Sequence, residues 1–575
     1  MNNRKIIVLK FGSSVLRSEA DLPSAVHEIY RWWRDGAQVI AVVSALGDTT
    51  NQLMRRAETI CEKPDNAVLP SLLATGEGAS SALLTLALNK VGIAARLLDE
   101  VQARLRTVSG NTDAIPVSVD AARLLSESQH AVVVFPGFVG RDETGDRTIL
   151  GRGGSDLTAL FLAQQLKAQC VLIKDVDGLY TSDPTGTTVR ASRFAQVGYD
   201  TAIRLGGQVV QSKAVRFAAS NKMRFRITSI GAQNGTEVGP FADRLDGSGS
   251  ISEPLRVALL GCGTVGGGVF ERLLALPELF TVIGVGSRTG ARAKEIGVPS
   301  EMTTTDLEGL VEKPCDVVIE LIGGTKRAAS LIEQSLRLGR RVVSANKALI
   351  AHSHESLEAL AEGTGATLHY SAAVGGVLPA LETIRRVRAK APVQSFSGVL
   401  NGTCNFVLDQ LAAGKTFGAA VREAQEKGYA EENPQLDLDG VDALQKLILL
   451  ARAAFNVSLP MHSISRKGIQ GLTAEVIRQS QSRGQTIRLV AECHKSGERI
   501  EASVKPIELP LSHPLAQVNG AENRLLVQTE AGESIVVSGT GAGRWATTEA
   551  VMADLFDVRR QHQVEGLREL EVSVA

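Results

Sequence analysis

Two glycine-containing turns, each placed directly after an apolar strand-like run, constrain the fold of this chain most strongly. The sequence KFGSS (residues 10–14) follows the run 6–9, and GCGTVG (261–266) follows the run 255–260. Glycine in such a turn lets backbone N–H groups approach phosphate oxygens, because it carries no Cβ. The first turn suits phosphoryl transfer and the second suits a dinucleotide. The sequence therefore predicts two enzymes in one chain.

Length and composition agree with a multidomain protein that works on small molecules. A chain of 575 residues exceeds the size at which a single core stops growing. The 62 basic and 62 acidic residues cancel, and no long run carries one sign, which argues against nucleic acid or a membrane surface as a partner. The six cysteines are scattered without a CxxC pair, which favours a reducing compartment without disulfides.

Targeting and metal signals are weak in this sequence. The N-terminus runs directly into a strand, and no apolar run approaches the roughly 20 residues of a membrane span. We therefore expect a soluble, cytoplasmic protein. His352 and His354 are the closest pair of histidines, and a solvated loop is a better interpretation of them than a metal site.

Apolar strand-like runs alternate with helical patterns in both halves of the chain, which predicts α/β architecture with parallel sheets. We place a first domain at 1–242 and a Gly/Ser-rich linker at 243–254. A dinucleotide-binding domain follows at 255–390. Strands around one strong helix, Val441–Phe455, predict an α+β substrate domain at 391–538, and residues 539–575 are expected to return to the dinucleotide-binding domain.

Two motifs in the first half point to chemistry on a phosphate. The ammonium of Lys10 could neutralise charge on a moving phosphoryl group, although a lysine beside a glycine turn is usually only a turn. The sequence GRGGSD (151–156) opens an amphipathic helix, whose free N–H groups would face a ligand. Ser155 and Asp156 could instead be ordinary helix caps. The fork of Arg152 favours the functional interpretation, because it can grip a carboxylate.

Together with VSALGDTTN (43–51), GE (76–77) and KDVDGLYTSDP (174–184), these motifs resemble the aspartate kinases of the amino-acid kinase family over about residues 4–240. The resemblance implies an amino-acid-kinase-type α/β sandwich that phosphorylates the side-chain carboxylate of L-aspartate with ATP and Mg²⁺. It assigns Lys10 and Asp156 to catalysis and Ser44, Glu77 and Arg152 to aspartate. It implies an ATP site formed by Lys10, Gly12, Ser13, Lys174, Asp175, Tyr180 and Asp183.

Three departures from that family pattern stand out. The opening motif reads KFGSS rather than KFGGTS or KFGGSS, and QVVQSK (208–213) replaces a stretch that often contains Lys and His-Pro. Between Gly239 and Leu255 there is no space for even one ACT regulatory module, so feedback control through such a module is not expected.

The second glycine motif, GxGxxG, has the context that makes this weak signal stronger. It follows a strand and opens a helix whose N-terminus would face a pyrophosphate. The next strand ends in Ser287 and Arg288 without an acid to hold a ribose 2′-hydroxyl, which favours NADP over NAD.

The segment 428–446 (GYAEENPQLDLDGVDALQK) is the most informative in the chain. Asp442 and Lys446 stand four residues apart, hence on one face of the strong helix. A solvated ion pair is one interpretation. A calcium loop is a second, but Gln435 and Lys446 occupy its two end positions, where carboxylates are needed. In the third, Glu431, Asp437 and Asp442 hold an amino group while Lys446 faces the reacting oxygen.

This segment, with DVVIELIGG (316–324), SANK (344–347), AVGG (373–376), LNGT (400–403) and GTGAGR (539–544), resembles the homoserine dehydrogenases across 255–560. The resemblance implies reversible reduction of L-aspartate 4-semialdehyde to L-homoserine, with Lys347 and Lys446 as active-site lysines. Glu431, Asp437 and Asp442 would bind the amino-acid substrate. The implied dinucleotide site comprises Gly261, Gly263, Thr264, Val265, Gly266, Ser287, Arg288, Ile322, Gly323, Lys347 and Gly541.

Two further expectations concern charge in this second half. If Lys347 and Lys446 share a pocket, like-charge repulsion should lower their proton affinities and make Lys446 a better acid. In some relatives the backbone of the matching stretch binds a monovalent cation. The carbonyls of Ser371, Val374, Gly376 and Leu378 would be the ligands for Na⁺ or K⁺ here.

The leading hypothesis is a bifunctional enzyme acting at two non-consecutive steps of amino-acid biosynthesis, as a homodimer or a higher homo-oligomer. One alternative keeps the dehydrogenase and treats the first half as a degenerate, structural kinase. A second alternative, a non-enzymatic amino-acid sensor, would need a regulatory module that the sequence does not show.

Overall fold

The computed structural model describes residues 4–182, 191–207, 209–246 and 253–574, with side chains up to residue 563. Asp183, predicted to contact ATP, lies outside the described residues, as do Gln208 and much of the expected linker. The chain divides into two compact units, one comprising residues 1–252 with 560–575 and the other residues 253–559.

A nine-stranded sheet forms the centre of the first unit. Its strand order is β13-β10-β12-β11-β9-β1-β2-β6-β3, and the central pairs are parallel. A smaller sheet has the order β5-β4-β7-β8. The strands of this unit are β1 (Ile6–Phe11), β2 (Gln38–Val43), β3 (Ala95–Leu97), β4 (Arg106–Val108), β5 (Ile115–Ser118), β6 (Val132–Pro136), β7 (Val139–Arg141), β8 (Arg147–Ile149), β9 (Gln169–Lys174), β10 (Phe194–Val197), β11 (Phe225–Ser229), β12 (Thr236–Val238) and β13 (Arg244–Leu245).

The helices of this unit connect the strands and cover the large sheet. They are α1 (Leu22–Arg34), α2 (Thr49–Ile60), α3 (Leu69–Lys90), α4 (Ala121–Ser128), α5 (Gly154–Leu166), α6 (Tyr199–Leu205) and α7 (Ser212–Ser220). Central strands such as β1, β2 and β6 are almost wholly buried, as expected for parallel strands that are covered on both faces. The carboxyl ends of β1 and β9 therefore lie side by side, next to the start of α5.

Helix α3 is long and apolar enough to span a membrane by length and composition, with a mean hydropathy of 1.2 in its best window. This differs from the expectation that no apolar run approaches the length of a membrane span. Core helices of soluble proteins pass the same test. Here α3 contacts α1, α2 and the strands β3 and β6, and it carries the buried carboxylate of Glu77.

The second unit begins with a six-stranded parallel sheet in the order β16-β15-β14-β17-β18-β19, which is a Rossmann-type arrangement. A second, mainly antiparallel sheet has the order β21-β23-β22-β20-β24-β25. The strands are β14 (Leu255–Leu260), β15 (Phe280–Gly286), β16 (Thr303–Thr304), β17 (Val317–Glu320), β18 (Arg341–Ser344), β19 (Leu368–His369), β20 (Val393–Val399), β21 (Ser465–Arg466), β22 (Gln485–Ser496), β23 (Arg499–Pro510), β24 (Glu522–Thr529) and β25 (Ser534–Thr540).

Thirteen helices complete this part of the described chain. They are α8 (Thr264–Leu274), α9 (Ala291–Glu295), α10 (Leu307–Glu312), α11 (Lys326–Arg337), α12 (Lys347–Thr364), α13 (Ser371–Gly375), α14 (Ala380–Arg388), α15 (Gly402–Ala412), α16 (Phe417–Glu426), α17 (Gln435–Leu438), α18 (Val441–Phe455), α19 (Ala474–Ser482) and α20 (Arg544–Val574). One hydrophobic core joins α12, α14 and α18 to the antiparallel sheet. Residues 550–558 of α20 pack in the core around β14 and β15.

The predicted α/β class is confirmed, and the bounds of β14 and α18 are those expected from the sequence. The structure adds the antiparallel partners β12 and β13 and the small second sheet. These strands are two to four residues long, too short for their periodicity to be read from sequence.

Candidate active sites

An ion-pair cluster stands at the centre of the first unit, where β1, β9 and α5 converge. Asp156, in the first turn of α5, accepts from Lys10 Nζ at 2.7 Å and from Lys174 Nζ at 2.9 Å. All three side chains are buried, at 8% exposure or less. Lys174 was predicted only as part of the nucleotide-binding loop, but the structure places it directly on the carboxylate of Asp156.

Burial and mutual charge set the protonation of this cluster. Burial alone would raise the pKa of Asp156, but Lys10 and Lys174 outweigh it and hold that pKa at about 2. Burial lowers the pKa of Lys10 to about 8, and Lys174 adds to this effect while Asp156 opposes it. Lys10 is therefore a cation that can be neutralised close to physiological pH, because its site is poor in water.

Helix α3 brings Glu77 towards the loop that follows β2. The Glu77 carboxylate accepts from the Ala45 N–H at 3.3 Å, and Ser80 Oγ donates to the Ser44 carbonyl at 2.8 Å. Among the described residues, the second oxygen of Glu77 is buried without a hydrogen-bond partner. Burial raises the pKa of Glu77 to about 7, against the opposing effects of its hydrogen bonds and of Lys10.

The remaining predicted residues of this unit lie around the cluster. A Cβ on Gly12 would stand 3.0 Å from Lys10 Nζ, so the glycine leaves room for that ammonium. Ser13, Arg152 and Asp175 are exposed. The Tyr180 hydroxyl, predicted to contact ATP, donates to the Asp177 carboxylate at 2.5 Å.

Lys213 is a residue whose role sequence reasoning did not assign. Its ammonium donates to Asp113 Oδ1 at 2.5 Å and to the Leu150 carbonyl at 2.7 Å, directly before the glycine loop 151–154. Gly151 and Gly153 in that loop adopt φ values of +67° and +78°. Lys213 therefore supports the turn that contains Arg152. The signal in the sequence was the departure of residues 208–213 from the family pattern.

In the second unit, the glycine motif between β14 and α8 forms the tight turn that a dinucleotide requires. A Cβ on Gly261 would lie 2.6 Å from the Leu321 carbonyl oxygen, and one on Gly266 would lie 2.1 Å from the Gly261 carbonyl oxygen. Around Gly263 there is open space. Thr264 and Val265 open α8, whose free N–H groups face that space. The turn therefore fits a pyrophosphate.

The structure places the rest of the predicted dinucleotide site along the carboxyl edge of the parallel sheet. Ser287 is buried after β15, while Arg288 is exposed and has no ion pair or hydrogen bond in the described part of the chain. Ile322 and Gly323 follow β17, and their N–H groups both donate to the Glu320 carboxylate, at 2.9 and 3.3 Å. A Cβ on Gly541 would collide with the Asn523 amide, so the loop at Gly541 lies close against the Asn523 side chain.

Asp442 lies between the two predicted lysines and touches both. Lys347 Nζ, at the start of α12, stands 2.6 Å from Asp442 Oδ1, and Lys446 Nζ stands 2.9 Å from Asp442 Oδ2. Lys446 also donates to the Leu400 carbonyl at 2.7 Å. Lys446 and Asp442 are about 95% buried, but 39% of the Lys347 side chain is exposed. The pair at 442 and 446 is thus a buried site rather than a solvated ion pair.

The expected mutual lowering of the lysine proton affinities is wrong for Lys347. Burial would lower the pKa of Lys347, but Asp442, with Asp437 and Glu431, outweighs it and raises that pKa. The Asp442 pKa is well below its usual range, because the two ammonium groups outweigh the burial that would raise it. A carboxylate between two cations cancels their repulsion, and sequence spacing could not reveal its position.

Two asparagines complete this cluster, and sequence reasoning did not assign either to the site. Asn401 Nδ2 donates to Asp437 Oδ1 at 2.6 Å and to Asp442 Oδ2 at 2.8 Å. Asn523 Nδ2 donates at 2.9 Å to the same Leu400 carbonyl that Lys446 uses. Asn401 could have been suspected, since it is a polar residue between a strand and a helix. Asn523 lies inside a strand and gave no signal.

Other predicted residues lie at the rim or in the supporting turns. Glu431 is exposed, and Asp437 is half-buried with a pKa raised by burial and by Asp442. For the predicted cation ligands, Ser371–Gly375 form a short helix, and the Leu378 carbonyl already accepts from the Ala380 N–H at 2.8 Å. That carbonyl keeps a second lone pair, so the cation site stays a prediction.

His352 and His354 do not lie in a solvated loop, as the sequence analysis favoured, but on helix α12. His354 is buried and lies 2.7 Å from the Tyr370 hydroxyl. Among the described residues no group of three or more His, Cys, Asp and Glu side chains could hold a metal ion.

Comparison with known proteins agrees with this division of the chain. The model of the amino acid kinase family matches residues 5–229, that of the homoserine dehydrogenase NAD-binding domain matches 261–371, and that of homoserine dehydrogenase matches 379–556. The homoserine dehydrogenase of Corynebacterium glutamicum is 35% identical over 327 residues, which cover 54% of this chain and 73% of that relative. The Bacillus subtilis homoserine dehydrogenase is 33% identical over 316 residues, covering 53% and 73%.

A solved structure supports the same conclusion. The homoserine dehydrogenase of Thiobacillus denitrificans is 34% identical with a TM-score of 0.52, and the match covers 54% of this chain and 74% of that one. The NAD-binding domain indicates a nicotinamide cofactor. The chain therefore belongs to the homoserine dehydrogenase family and joins that enzyme to an amino acid kinase domain, as a bifunctional kinase and dehydrogenase of amino-acid biosynthesis.

Proposed function

We propose that the second unit interconverts L-aspartate 4-semialdehyde and L-homoserine with NADP(H), and that the first unit phosphorylates the side-chain carboxylate of L-aspartate with Mg-ATP. The dehydrogenase proposal rests on the placement of Lys347 and Lys446 on the two oxygens of one buried carboxylate, Asp442. The kinase proposal rests on the buried cluster of Lys10, Asp156 and Lys174.

In the dehydrogenase site, Lys446 supplies the proton for the reacting oxygen. When the aldehyde is reduced, its oxygen develops alkoxide character, and a cationic donor beside it lowers the barrier. Asp442 and the Leu400 carbonyl fix the direction of the Lys446 ammonium. Asp442 is too acidic to be the proton donor. The bound dinucleotide supplies the hydride.

Substrate binding falls to the carboxylates at the rim of that site. Both oxygens of Asp442 are occupied by lysines and Asn401, so an incoming ammonium finds Asp437 and Glu431 more accessible. We propose that these two hold the amino group of the substrate, and that Asp442 takes part once Lys347 moves to the substrate. The partly exposed Lys347 side chain is the cation with room to do so.

In the kinase site, Lys10 and Lys174 provide the positive charge that a transferring phosphoryl group requires. Helix α5 adds its free N–H groups next to them. Both oxygens of Asp156 accept from lysines, so bound Mg²⁺ is expected to take most of its ligands from phosphates and water. Ser44, Glu77 and Arg152 would hold aspartate, and the loop 174–183 would hold ATP.

One preparation and two assays test both halves of the proposal. Hydroxamate formation from aspartate and ATP measures the kinase, and homoserine-dependent reduction of NADP⁺ measures the dehydrogenase. Both activities are expected. Reduction without any aspartate-dependent ATP turnover would favour a degenerate, structural kinase domain.

The choice of NADP rests on Arg288, an exposed cation that follows β15 and has no ion pair among the described residues. We expect Arg288→Ala to raise the KM for NADP⁺ about tenfold and to leave the KM for NAD⁺ unchanged, since only NADP carries the 2′-phosphate. Arg292→Ala, at a neighbouring cation paired with Glu295, is the control and should alter neither value. Equal effects on both dinucleotides would contradict the assignment.

Three further parts of the proposal concern assembly, ions and place of action. A homodimer through the antiparallel sheet of the second unit, a cytoplasmic location, and a Na⁺ or K⁺ ion on the 371–378 backbone follow the pattern implied by the resemblance. Light scattering of the purified protein checks the first, and replacement of K⁺ by a large organic cation in the dehydrogenase assay checks the third.

A further inference from the structure

Glu320, the last residue of β17, is a buried carboxylate that holds together two loops of the dehydrogenase site. Its exposure is 0%. Oε1 accepts from the N–H groups of Ile322 and Gly323, at 2.9 and 3.3 Å. These two hydrogen bonds form one arm of Glu320. They fix the loop after β17, where Gly323 and Gly324 adopt φ values of +69° and +73°. That loop borders the crevice above the glycine motif, because β17 neighbours β14.

The other oxygen of Glu320 reaches the loop after β18. Oε2 accepts from the Ser344 hydroxyl at 2.6 Å, and Ser344 Oγ in turn accepts from the Asn346 N–H at 3.1 Å. Asn346 then caps helix α12 by accepting from the Leu349 N–H at 3.2 Å, and its amide donates to the Gly324 carbonyl at 2.7 Å. Lys347 is the next residue and begins α12.

The groups that hydrogen-bond to Glu320 in the described part of the chain are neutral. The N–H groups of Ile322 and Gly323 can only donate, so Oε1 acts as an acceptor, and the Ser344 hydroxyl lies within hydrogen-bond distance of Oε2. No ion pair to a lysine or arginine compensates Glu320 in the described part of the chain, and burial raises its pKa against the effect of these donors. Burying a carboxylate without a cation is costly, whereas a neutral side chain could fill the same space. A purely structural role does not explain this choice.

We propose that Glu320 is a positioning residue that couples the dinucleotide loop to Lys347. One arm fixes the Ile322–Gly324 backbone against the dinucleotide, and the other sets the start of α12 and thereby the place of the Lys347 ammonium next to Asp442. The inference rests on the proposed role of Lys347 in the dehydrogenase reaction. Because the hydrogen bonds of the two arms use different oxygens, they can be removed by separate substitutions.

Ser344→Ala cuts only the arm towards Lys347. We expect kcat for homoserine oxidation to fall about tenfold while the KM for NADP⁺ stays within about twofold, since small misplacements of catalytic groups cost rate rather than cofactor binding. Ser335→Ala is the matched control, because Ser335 is also fully buried in this domain but, in the described part of the chain, its hydroxyl donates to the Leu331 carbonyl of its own helix. Equal kinetics of the two alanine variants would overturn the proposal.

Glu320→Gln changes both arms, and we expect it to raise the KM for NADP⁺ as well as to lower kcat. The double variant Glu320→Gln with Ser344→Ala should have a kcat no lower than that of Glu320→Gln, since Ser344 acts through Glu320. If the double variant instead lowers kcat by the product of the two single effects, the proposed coupling is overturned. If Glu320→Gln fails to fold in a thermal melt, the Ser344 and Ser335 comparison still decides. Wild-type protein without homoserine-dependent NADP⁺ reduction would refute the proposed function instead.

Discussion

A single carboxylate organises each candidate active site at the scale of residues. Asp156 holds Lys10 and Lys174, and Asp442 holds Lys347 and Lys446. In both sites the carboxyl pKa is lowered by its two cations in spite of burial. The carboxylate in each site lies between two ammonium groups and offsets their mutual repulsion.

Lys446→Ala should lower homoserine-dependent NADP⁺ reduction at least about 100-fold, because general acid catalysis contributes that much or more. Asp442 keeps its contact with Lys347, so the fold is expected to survive. Lys467→Ala removes an exposed lysine of the same unit and serves as the control in the same steady-state assay. Near-normal turnover of Lys446→Ala would refute the donor role.

The pKa of Glu77, about 7, predicts a pH dependence of the kinase. This carboxylate binds a substrate ammonium only when ionised, so kcat/KM for aspartate should increase as the pH rises through about 7. Glu77→Gln should remove that inflection from the pH profile. Glu58→Gln, at an exposed carboxylate on α2, should retain it. A flat profile for the wild-type enzyme would be evidence against the assigned role of Glu77.

At the scale of elements, both units use strand ends and helix starts to bring distant residues together. Lys10 is the last residue but one of β1, Lys174 ends the neighbouring parallel strand β9, and α5 carries Asp156 in its first turn. In the second unit α12 begins at Lys347, and α18 presents Asp442 and Lys446 on one face. The sites therefore depend on how each helix starts as much as on the residues themselves.

Gly266→Ala tests this dependence at the start of α8. The added Cβ would lie 2.1 Å from the Gly261 carbonyl oxygen, so the helix must move away from the turn that fits a pyrophosphate. We expect the KM for NADP⁺ to rise more than about tenfold. Gly267→Ala is the control on the same helix, since its Cβ would find only the Ile296 side chain, at 3.4 Å. Equal KM values in the two variants would contradict this account of the turn.

At the scale of the whole molecule, the proposed function gives the chain two reactions that are not consecutive. The kinase would release an acyl phosphate, which must be reduced by another enzyme before it becomes the aldehyde that the dehydrogenase accepts. Direct transfer between the two sites has no chemical basis. Each unit carries its own complete cluster of charged residues, which agrees with independent activities.

Lys10→Ala should therefore abolish aspartate-dependent hydroxamate formation and leave homoserine-dependent NADP⁺ reduction unchanged. Lys347→Ala should do the reverse. Both assays on each purified variant, with a thermal melt to verify folding, check the expectation. A loss of both activities in a folded single variant would show that the two reactions are coupled after all.

The sequence by itself determined the two nucleotide-binding turns, the alternation of strands and helices, and the residue types of both sites, because these are local in the chain. KFGSS, GxGxxG and the helix 441–455 are each read from a few neighbouring residues. Only the tertiary structure decided that Asp442 lies between the lysines at 347 and 446, and that Asn523 shares the Leu400 carbonyl with Lys446. Such contacts join residues far apart in sequence, and their electrostatic effect depends on distance and burial, which no local pattern contains.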